Sequence, residues 1–276
     1  MCRRRSGCSD RFHEVLAAAA ALALVAILVC WCGTAQAYRP FDGTDAAVAD
    51  TGEVEIELGP TEYQREGAER VLFAPDLRIN YGFAADWEAT IEGDLTHALS
   101  PGIPATSLVG NIASLKRVWR EGSLQDKAGP SIATEFDVLL PGVRDEPGTG
   151  VGLIGILSQQ WNRATIHFNV EAALTRDQHA DYIVDMIVEG PRDWLVRPVF
   201  EFFYEHDVGQ FETRSGLIGA IWQVKDNVAV DFALRGAHIN DHTAGEIRAG
   251  VTFALGVTKG PTPLSSLIPT ARSGIR

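Results

Sequence analysis

Two groups of residues have types and spacings that could do chemistry. His167, with Asn169 two positions later and Ser158 nine positions earlier, could supply the base, the orienting amide and the nucleophile of a hydrolase. The chain has no His-x-Ser triplet and no Gly-x-Ser-x-Gly elbow, and alternate residues on a strand share a face by geometry alone. We therefore predict no catalytic residues and no enzyme activity.

Histidines with a spacing that suits a divalent cation form the second group. His238 and His242 are separated by three residues, and His206 is followed by Asp207. On a polar loop, such spacing more often has no ligand role. All four cysteines lie before residue 33, so the rest of the chain offers no thiolate ligand and no disulfide. We predict no metal site and no cofactor.

Carboxylates at alternate positions are the most distinctive charged pattern. In the stretch DWEATIEGDLT, Trp87 and Ile91 fall on one parity, whereas Glu88, Glu92 and Asp94 fall on the other. A period of two predicts a β-strand with one apolar and one charged face. In a bilayer, a lipid-facing Arg or Lys costs about 2–4 kcal/mol at mid-depth and an acid somewhat less. The carboxylates of such a strand must therefore face an interior.

The first 37 residues have the pattern of an export signal. Four arginines precede the apolar core LAAAAALALVAILVCWC, and Ala35-Gln36-Ala37 supplies the small residues that a signal peptidase requires before Tyr38. We predict that residues 1–37 are a cleaved signal peptide and that the chain is exported into the envelope of a Gram-negative bacterium. An uncleaved membrane anchor is the alternative, for which this apolar run is barely long enough.

The remainder of the chain is acidic and has no helical span. Because residues 1–37 hold four arginines and two acids, residues 38–276 carry 20 basic and 34 acidic side chains, a net charge of −14. A surface of this sign makes nucleic acid an improbable partner. No later apolar run approaches 18 residues, so only strands could carry these residues across a bilayer.

Twelve alternating segments follow one another between residues 52 and 255. GEVEIEL and RATIHFNVEAAL are the clearest, and RVLFAPDLRINYGF places Phe73 and Ile79 on its lipid-facing parity. The segment from Leu108 to Trp119 also fits a helical stripe, and we interpret it as a strand. The predicted lumen-lining residues on the inward parity are Arg78, Glu88, Glu92, Asp94, Glu135, Asp137, His167, Asn169, Glu171, Arg197, Glu201, Arg235 and Arg248.

The connections alternate between short turns and longer loops, as in bacterial outer-membrane barrels with an even strand number. The short set is GFAADW, WNR, PRDW and KDN, and Trp87, Trp161 and Trp194 lie at these turns, where an interfacial aromatic girdle belongs. The longer set is PTEYQREGAE, THALSPGIPATS, PGVRDEPGTG, LTRDQHAD, EHDVGQF and HINDHTA. One link, WREGSLQDKAGP, is long where a short turn is expected.

These patterns predict an all-β fold, a transmembrane antiparallel up-and-down β-barrel of about 12 strands. We expect a periplasmic N-terminal segment at 38–51, the barrel at 52–256 and a flexible periplasmic tail at 257–276. RAGVTFAL, on the last strand, has the pattern read by the barrel-assembly machinery, with Gly250, Phe253 and Leu255 as its key positions. An exported soluble β-sandwich would explain the alternation, but not this signal.

Several segments resemble a known family. TDAAVADTGEVEIELG followed by APDLRINYGFAADWEATIEGDL is similar to the start of the outer-membrane barrel family named for the MetA pathway of phenol degradation, and LKRVWREG and GPSIATEFDVLLPG are similar to its middle segments. The resemblance covers most of the exported chain. It implies an outer-membrane barrel that passes small molecules, including hydrophobic or aromatic compounds.

The expected function is a passive channel or transporter for small molecules in the outer membrane. A barrel of twelve strands should leave a narrow, largely obstructed lumen, because eight strands are filled by side chains and sixteen leave an open pore. The expected partners are outer-membrane lipid, the barrel-assembly machinery and a small-molecule solute, with no nucleic acid. A structural or adhesive barrel without transport, or less favourably an outer-membrane hydrolase, is the alternative.

Overall fold

Twelve strands form a closed antiparallel barrel in the computed structural model, which describes residues 39–102 and 105–257. β1 pairs with β12, from Glu53 opposite Gly256 to Glu66 opposite Ala244, and so closes the ring. This confirms the predicted fold and excludes the sandwich. The strands are β1 (Glu53–Glu66), β2 (Glu69–Ala84), β3 (Trp87–Ala98), β4 (Thr106–Arg120), β5 (Ser131–Leu139), β6 (Gly150–Trp161), β7 (Ala164–Leu174), β8 (Ala180–Glu189), β9 (Val196–Asp207), β10 (Phe211–Lys225), β11 (Val228–Ile239) and β12 (His242–Gly256).

The predicted signal peptide and nearly all of the predicted C-terminal tail lie outside the described residues. Within the described ranges, no helix is long and apolar enough to cross a membrane. The first strand begins and the last strand ends at the same end of the barrel. We call this end the near end and the opposite end the far end.

The outside of the barrel is apolar and the inside is charged. Ile91 of β3 is 55% exposed, and Ile218 of β10 is 66% exposed, whereas Glu88 and Glu201 are each 1% exposed. Such a continuous exposed apolar surface is far larger than a soluble monomer carries. The alternation therefore sorts the residues as the sequence predicted, with hydrocarbon outward and carboxylates inward.

β4 is a strand over its whole length, which resolves the ambiguity of this segment. Leu115 is 40% exposed on the outside, while its neighbour Lys116 is 2% exposed on the inside. Ile112, which a helical stripe would place with Leu115, instead lines the interior. The side chains of this segment therefore alternate with the period of two of a strand and not with the helical period that Leu108, Ile112, Leu115 and Trp119 also fit.

A β-bulge corrects one predicted facing. The register of β2 against β3 shifts between Phe73 and Asp76, so that one extra residue enters β2 around Pro75. This shift reverses the parity beyond the bulge. Phe73 lies opposite Glu62 and lines an interior cavity, although the sequence pattern predicted that it faced lipid.

The far-end connections are shorter than the sequence suggested. Only two residues, 67 and 68, join β1 to β2, and only two, 240 and 241, join β11 to β12. Gly67 and Asn240 take the positive φ angles, 55° and 48°, that tight turns require. The prediction of longer loops was wrong here, because the polar residues assigned to them continue the paired strands.

Strand pairing also places the histidines considered for metal binding. His238 lies opposite Thr243 and His242 lies opposite Ile239, so both belong to strands. Among the residues that the structure describes, no group of three or more His, Cys, Asp and Glu side chains has the geometry of a metal site.

Tryptophans mark the near end. Trp87 begins β3 and Trp161 ends β6, Trp119 and Trp222 lie within three residues of the ends of β4 and β10, and Trp194 lies in the link between β8 and β9. The last four are 49–59% exposed on the outer surface. A ring of tryptophans at one level is typical of the membrane–water interface.

Candidate lumen site

All thirteen residues predicted to line the lumen lie inside the barrel. Seven are buried: Glu88, Glu135, Asp137, His167, Asn169, Glu201 and Arg248. Six are half-buried: Arg78, Glu92, Asp94, Glu171, Arg197 and Arg235. Their role in solute selection stays a prediction, whereas their contacts divide them into residues that bind another part of the chain and residues that border open space.

The N-terminal segment, residues 39–52, occupies the near half of the interior. The backbone N–H of Arg39 donates to Glu57 at 3.1 Å, and that of Ala49 donates to Glu88 at 2.7 Å. The N–H groups of Asp42 and Gly43 both donate to Oε1 of Glu201, at 2.8 and 2.9 Å. The sequence pattern assigned residues 38–51 to the periplasm, ahead of the barrel, but residues 39–49 lie among the inward-facing side chains. Carboxylates on three strands thus satisfy the amides of this segment.

Asp42 is the electrostatic centre of the docked segment. Its carboxylate lies 2.8 Å from Nη2 of Arg248 and 3.1 Å from Nη2 of Arg235. Both arginines also pair with Glu246, at 2.7 and 2.9 Å, and Nη1 of Arg248 donates to the carbonyl of Pro40 at 2.9 Å. The side chain of Arg248 is 9% exposed and that of Asp42 is 20% exposed. Because these largely shielded charges alternate in sign, each depends on the others for compensation.

The pKa of Asp42 predicts how the segment responds to acid. Burial alone would raise this pKa, but Arg248 and Arg235 more than offset burial and hold it below the ordinary value of 3.8. Because the pKa is lower in the docked state than in a released one, this contribution to docking is complete above pH 3.8 and weakens as the pH falls through the lowered pKa.

We expect acidification below pH 3.8 to loosen the segment and to raise the ion current of the purified barrel in a planar bilayer. The Asp42→Asn variant lacks the titrating carboxyl, so its current should lose this acid-dependent step. An identical acid step in the variant would contradict the assignment to Asp42.

Inward-facing glycines leave the space that the segment fills. A Cβ at Gly82 would lie 2.2 Å from the carbonyl oxygen of Ala49, and a Cβ at Gly59 would lie 2.7 Å from Nη2 of Arg39. A Cβ at Gly250 would lie 2.3 Å from Nε of Arg39. These three strands are therefore shaped for the backbone and the guanidinium of the segment.

Arg39 occupies the space that Gly250 leaves. Its guanidinium pairs with Asp76 and lies 3.7 Å from Asp231. Gly250 is also the glycine of the predicted assembly signal, and Phe253 and Leu255 lie on the opposite parity of β12. Recognition by the assembly machinery stays a prediction, whereas the packing against Arg39 is a structural role for the same glycine.

Lys116 links the segment to two buried acids. Its Nζ donates to Oγ1 of Thr44 at 2.7 Å and lies 3.2 Å from Glu135 and 3.8 Å from Glu88. Lys116 is 2% exposed, so the ammonium compensates carboxylates that are shielded from water. Glu88 therefore uses one oxygen for Lys116 and the other for the amide of Ala49.

Ser158, His167 and Glu189 form a relay that resembles a hydrolytic triad. The Ser158 hydroxyl lies 2.8 Å from Nδ1 of His167, and Nε2 of His167 lies 3.0 Å from Glu189. Ser158 is 0% exposed, its oxygen accepts the N–H of Ala46 at 2.9 Å, and none of the three borders the two interior cavities described below. The arrangement can orient the Ser158 hydroxyl. The oxygen of this hydroxyl is bonded to the N-terminal segment and faces neither of the two cavities.

The long link at 121–130 closes the near end over the segment. Its 3₁₀ helix, Ser123–Gln125, places Leu124 in a buried cluster with Ala46 and Val118. Nε2 of Gln125 donates to the carbonyl of Ala46 at 3.0 Å. The link that broke the predicted alternation of turn lengths is therefore long because it packs against the N-terminal segment.

Two cavities border the far side of the segment. The first has a volume of about 310 Å³ and lies between the segment and β1–β4, and the second has a volume of about 300 Å³ and lies against β4–β9. Asp42, Arg78, Glu92 and Ile112 border both, so the ion pair between Arg78 and Glu92 stands between them. We call them the first and second chambers.

Sequence reasoning missed several interior residues. Lys116 escaped because its segment also fitted a helix, although strand parity from Leu115 would have found it. Arg39 and Asp42 escaped because YRPFDGTDAAVAD has no period of two and reads as a polar linker. Nothing in the sequence of this tract indicates that it docks inside the barrel, because its partners are spread over strands from β1 to β12.

Solved structures to which this chain is similar include outer-membrane porins and channels. The COG4313 outer membrane channel from Pseudomonas putida F1 is 8% identical, with 78% of this chain and 100% of that chain covered and a TM-score of 0.59. The NanC porin is 7% identical, with 72% and 98% covered and a TM-score of 0.54. The KdgM porin is 11% identical, with 72% and 98% covered and a TM-score of 0.50. At these identities the likeness shows the fold.

No protein-family model matches the chain, and no curated protein matches it. The resemblance to the phenol-degradation family therefore rests on segments such as APDLRINYGFAADWEATIEGDL alone. The comparisons therefore show a fold shared with outer-membrane barrels and identify no solute.

Proposed function

We propose that this protein is a passive outer-membrane channel for small molecules, whose lumen is obstructed by its own N-terminal segment. The observation that carries the proposal is a charged barrel interior with two chambers of about 300 Å³ on the far side of that segment. Cavities of this size are large enough for a small solute. The near end, with its tryptophan ring and the start of β1, would face the periplasm, as in other bacterial barrels.

The lining favours polar solutes over the hydrophobic or aromatic compounds that the family resemblance implies. Arg78, Glu92 and Asp94 border the first chamber, and Asp137 and Glu171 border the second. An apolar solute would have to displace the hydration of these groups without replacing it. Neutral and charged polar molecules can exchange hydrogen bonds with the same side chains.

Docking of the segment also supports a channel rather than a barrel that serves only as a scaffold. Five of its backbone N–H groups are bonded to barrel side chains or to its own Asp45 between Asp42 and Ala49. Most of these acceptors are side chains of barrel strands and not strand backbone. The segment can therefore leave without breaking the backbone hydrogen bonds between the strands. Obstruction by a separable element is compatible with regulated permeation.

Solute flux through the purified full-length protein tests the proposal. We expect liposome swelling with small neutral sugars and ions that rises linearly with the solute gradient, at a low rate because the segment is docked. The matched variant is Asp42→Asn, which should swell faster in the same lipid. Absence of flux for every solute in both proteins, with the heat-modifiable mobility of an intact barrel, would contradict a channel and favour a structural role.

A further inference from the structure

The second chamber is bordered by more acids than the basic side chains of the described residues pair with. Arg78 pairs with Glu92, and Arg176 lies 3.4 Å from Glu146, so the two arginines that border the chamber are already engaged. Among the described residues, five acids that border the chamber form no ion pair: Asp137, Glu171, Asp181, Asp185 and Glu205. Uncompensated carboxylates in a shared enclosed space are unfavourable, and the charge is relieved either by protons or by a bound cation.

A second and independent observation is a set of buried oxygens without donors. Oδ1 of Asn169 and Oδ1 of Asp137 are shielded from water and have no hydrogen-bond partner within the described residues. Asn169 is 3% exposed and Asp137 is 6% exposed, and both line the second chamber. The amide of Asn169 is oriented by its own Nδ2, which donates to Asp185 at 3.1 Å. Its oxygen is therefore a buried acceptor to which none of the described residues donates.

Two glycines bring these groups to the wall of the chamber at two levels. A Cβ at Gly152 would lie 2.7 Å from Oε1 of Glu171 and 3.5 Å from Oδ2 of Asp137, so the two carboxylates converge over this glycine. A Cβ at Gly43 would collide with Oδ2 of Asp185 and lie 3.0 Å from Nδ2 of Asn169, so the segment packs directly against both side chains. Any side chain at either position would displace the acceptors.

The spacing between the two levels defines the ligand. Asn169 and Glu171 are alternate inward residues of β7, so their Cα atoms are separated by about 6–7 Å along the strand. An ammonium group carries three donors and no acceptor, which matches the acceptors at each level. A four-carbon diamine extends far enough to place one ammonium at each level. The chamber volume of about 300 Å³ exceeds that of such a chain, with room for water.

We propose that the second chamber is a binding site for a small linear organic dication, with Asp137 and Glu171 at one ammonium and Asn169 and Asp185 at the other. This names the solute class of the proposed channel and rests on that function for its biological meaning. The site is selective because a metal ion lacks a compact ligand set among the described residues, and a neutral solute leaves the carboxylates uncompensated.

Calorimetry on the purified full-length protein in detergent, with 1,4-diaminobutane as the probe, tests the site. We expect saturable binding that is weakened by about tenfold or more in the double variant Asp137→Asn/Glu171→Gln, because hydrogen bonds to charged groups are lost. Asn169→Leu, which keeps both acids, should weaken binding as well. Glu69→Gln, an exposed acid in the β1–β2 ribbon, is the matched charge control and should bind as the parent does.

Ligand comparisons separate this site from a diffuse acidic attraction. Butylamine and 1,2-diaminoethane should bind more weakly than the four-carbon diamine, and calcium chloride should not compete at equal concentration. Equal binding of all these cations, or an unchanged affinity in the double variant, would overturn the proposal.

Flux measurements distinguish failure of the site from failure of the channel. Sugar and ion flux without diamine binding would overturn the site and leave the channel standing. Saturable diamine binding without any flux would uphold the site and overturn the channel.

Discussion

Replacing Asp42 by Asn is expected to open the lumen. The substitution keeps the shape of the side chain but leaves Arg235 and Arg248 facing Glu246, with Glu62 at 3.6 Å from Nε of Arg248, and without their partner in the segment. Losing hydrogen bonds to charged groups in this partly exposed network costs about 1.5–3 kcal/mol. Because the cost falls on the docked state, it shifts the equilibrium between docked and released segment by about one to two orders of magnitude. The mean ion current in planar bilayers should rise accordingly.

Asp50→Asn provides the matched control. Asp50 lies in the same segment, makes the same change of charge when replaced, and is exposed. Its backbone carbonyl, which accepts the N–H of Glu53 at 2.8 Å, is unaffected by the substitution. The current of this variant should equal that of the parent, and an equal rise in both variants would show that net charge, not the Asp42 network, controls the current.

A variant that leaves every charge in place gives independent support for opening by release of the segment. Gly82→Val would put side-chain atoms where the carbonyl oxygen of Ala49 now lies, 2.2 Å from the Cβ position. Gly155 faces lipid, and its nearest neighbour to a Cβ is at 3.8 Å, so Gly155→Ala is the control. If Gly82→Val leaves the current unchanged while Asp42→Asn raises it, the effect of Asp42 is on conduction through the lumen and not on docking.

The inward or outward facing of strand residues could be predicted from the sequence, because it depends on the polarity of each residue alone. Ile91 meets lipid and Glu92 meets the interior, and the cost of reversing such a pair falls on that position alone. The same logic places Glu88, His167 and Glu201 inside the barrel from their parity in the sequence. It failed at Phe73, where the bulge near Pro75 changes the parity. A proline within a strand is the one sign of such a bulge that the sequence displays.

Docking of the N-terminal segment could not be predicted from the sequence, because it depends on complementarity between distant parts of the chain. Arg39 fits against Gly250 and Asp231, more than 190 positions away, and the sequence shows only a glycine in an assembly motif and an acid on a strand. The loop lengths around residues 67 and 240 failed for a related reason. The strands continue past the apolar belt at these turns, and most of their residues there are polar. A search for alternating apolar and polar residues therefore assigns them to loops.

The division of the interior follows from which acids the segment uses. Glu57, Glu88 and Glu201 accept amides of the segment, so they serve as its receptors. Asp137 and Glu171 have no such partner and border the second chamber. Changing Glu88 should therefore alter how firmly the lumen is closed, whereas changing Glu171 should alter which solute enters. The sequence could not separate these acids, since all of them share the inward parity.

Replacing Lys116 by Met should cause the largest loss of stability in the barrel interior. Met fills similar space but removes the ammonium that faces Glu135 at 3.2 Å and Glu88 at 3.8 Å, and it removes the donor to Thr44. Leaving buried carboxylates without their cation costs about 3–5 kcal/mol. Lys225→Met, at an exposed position at the end of β10, is the matched control and should change stability by less than about 0.5 kcal/mol.

The urea midpoint of unfolding, read from heat-modifiable gel mobility, measures this loss, and a second substitution identifies its cause. If uncompensated charge is responsible, Glu135→Gln in the Lys116→Met background should restore part of the stability, because one of the two facing carboxylates is then neutral. On the parent background, the same Glu135→Gln change should destabilise, since it leaves Lys116 with less compensation. This reversal of sign is the signature of a coupled buried pair. Equal losses from Glu135→Gln on both backgrounds would show that Lys116 acts through packing of its alkyl chain instead.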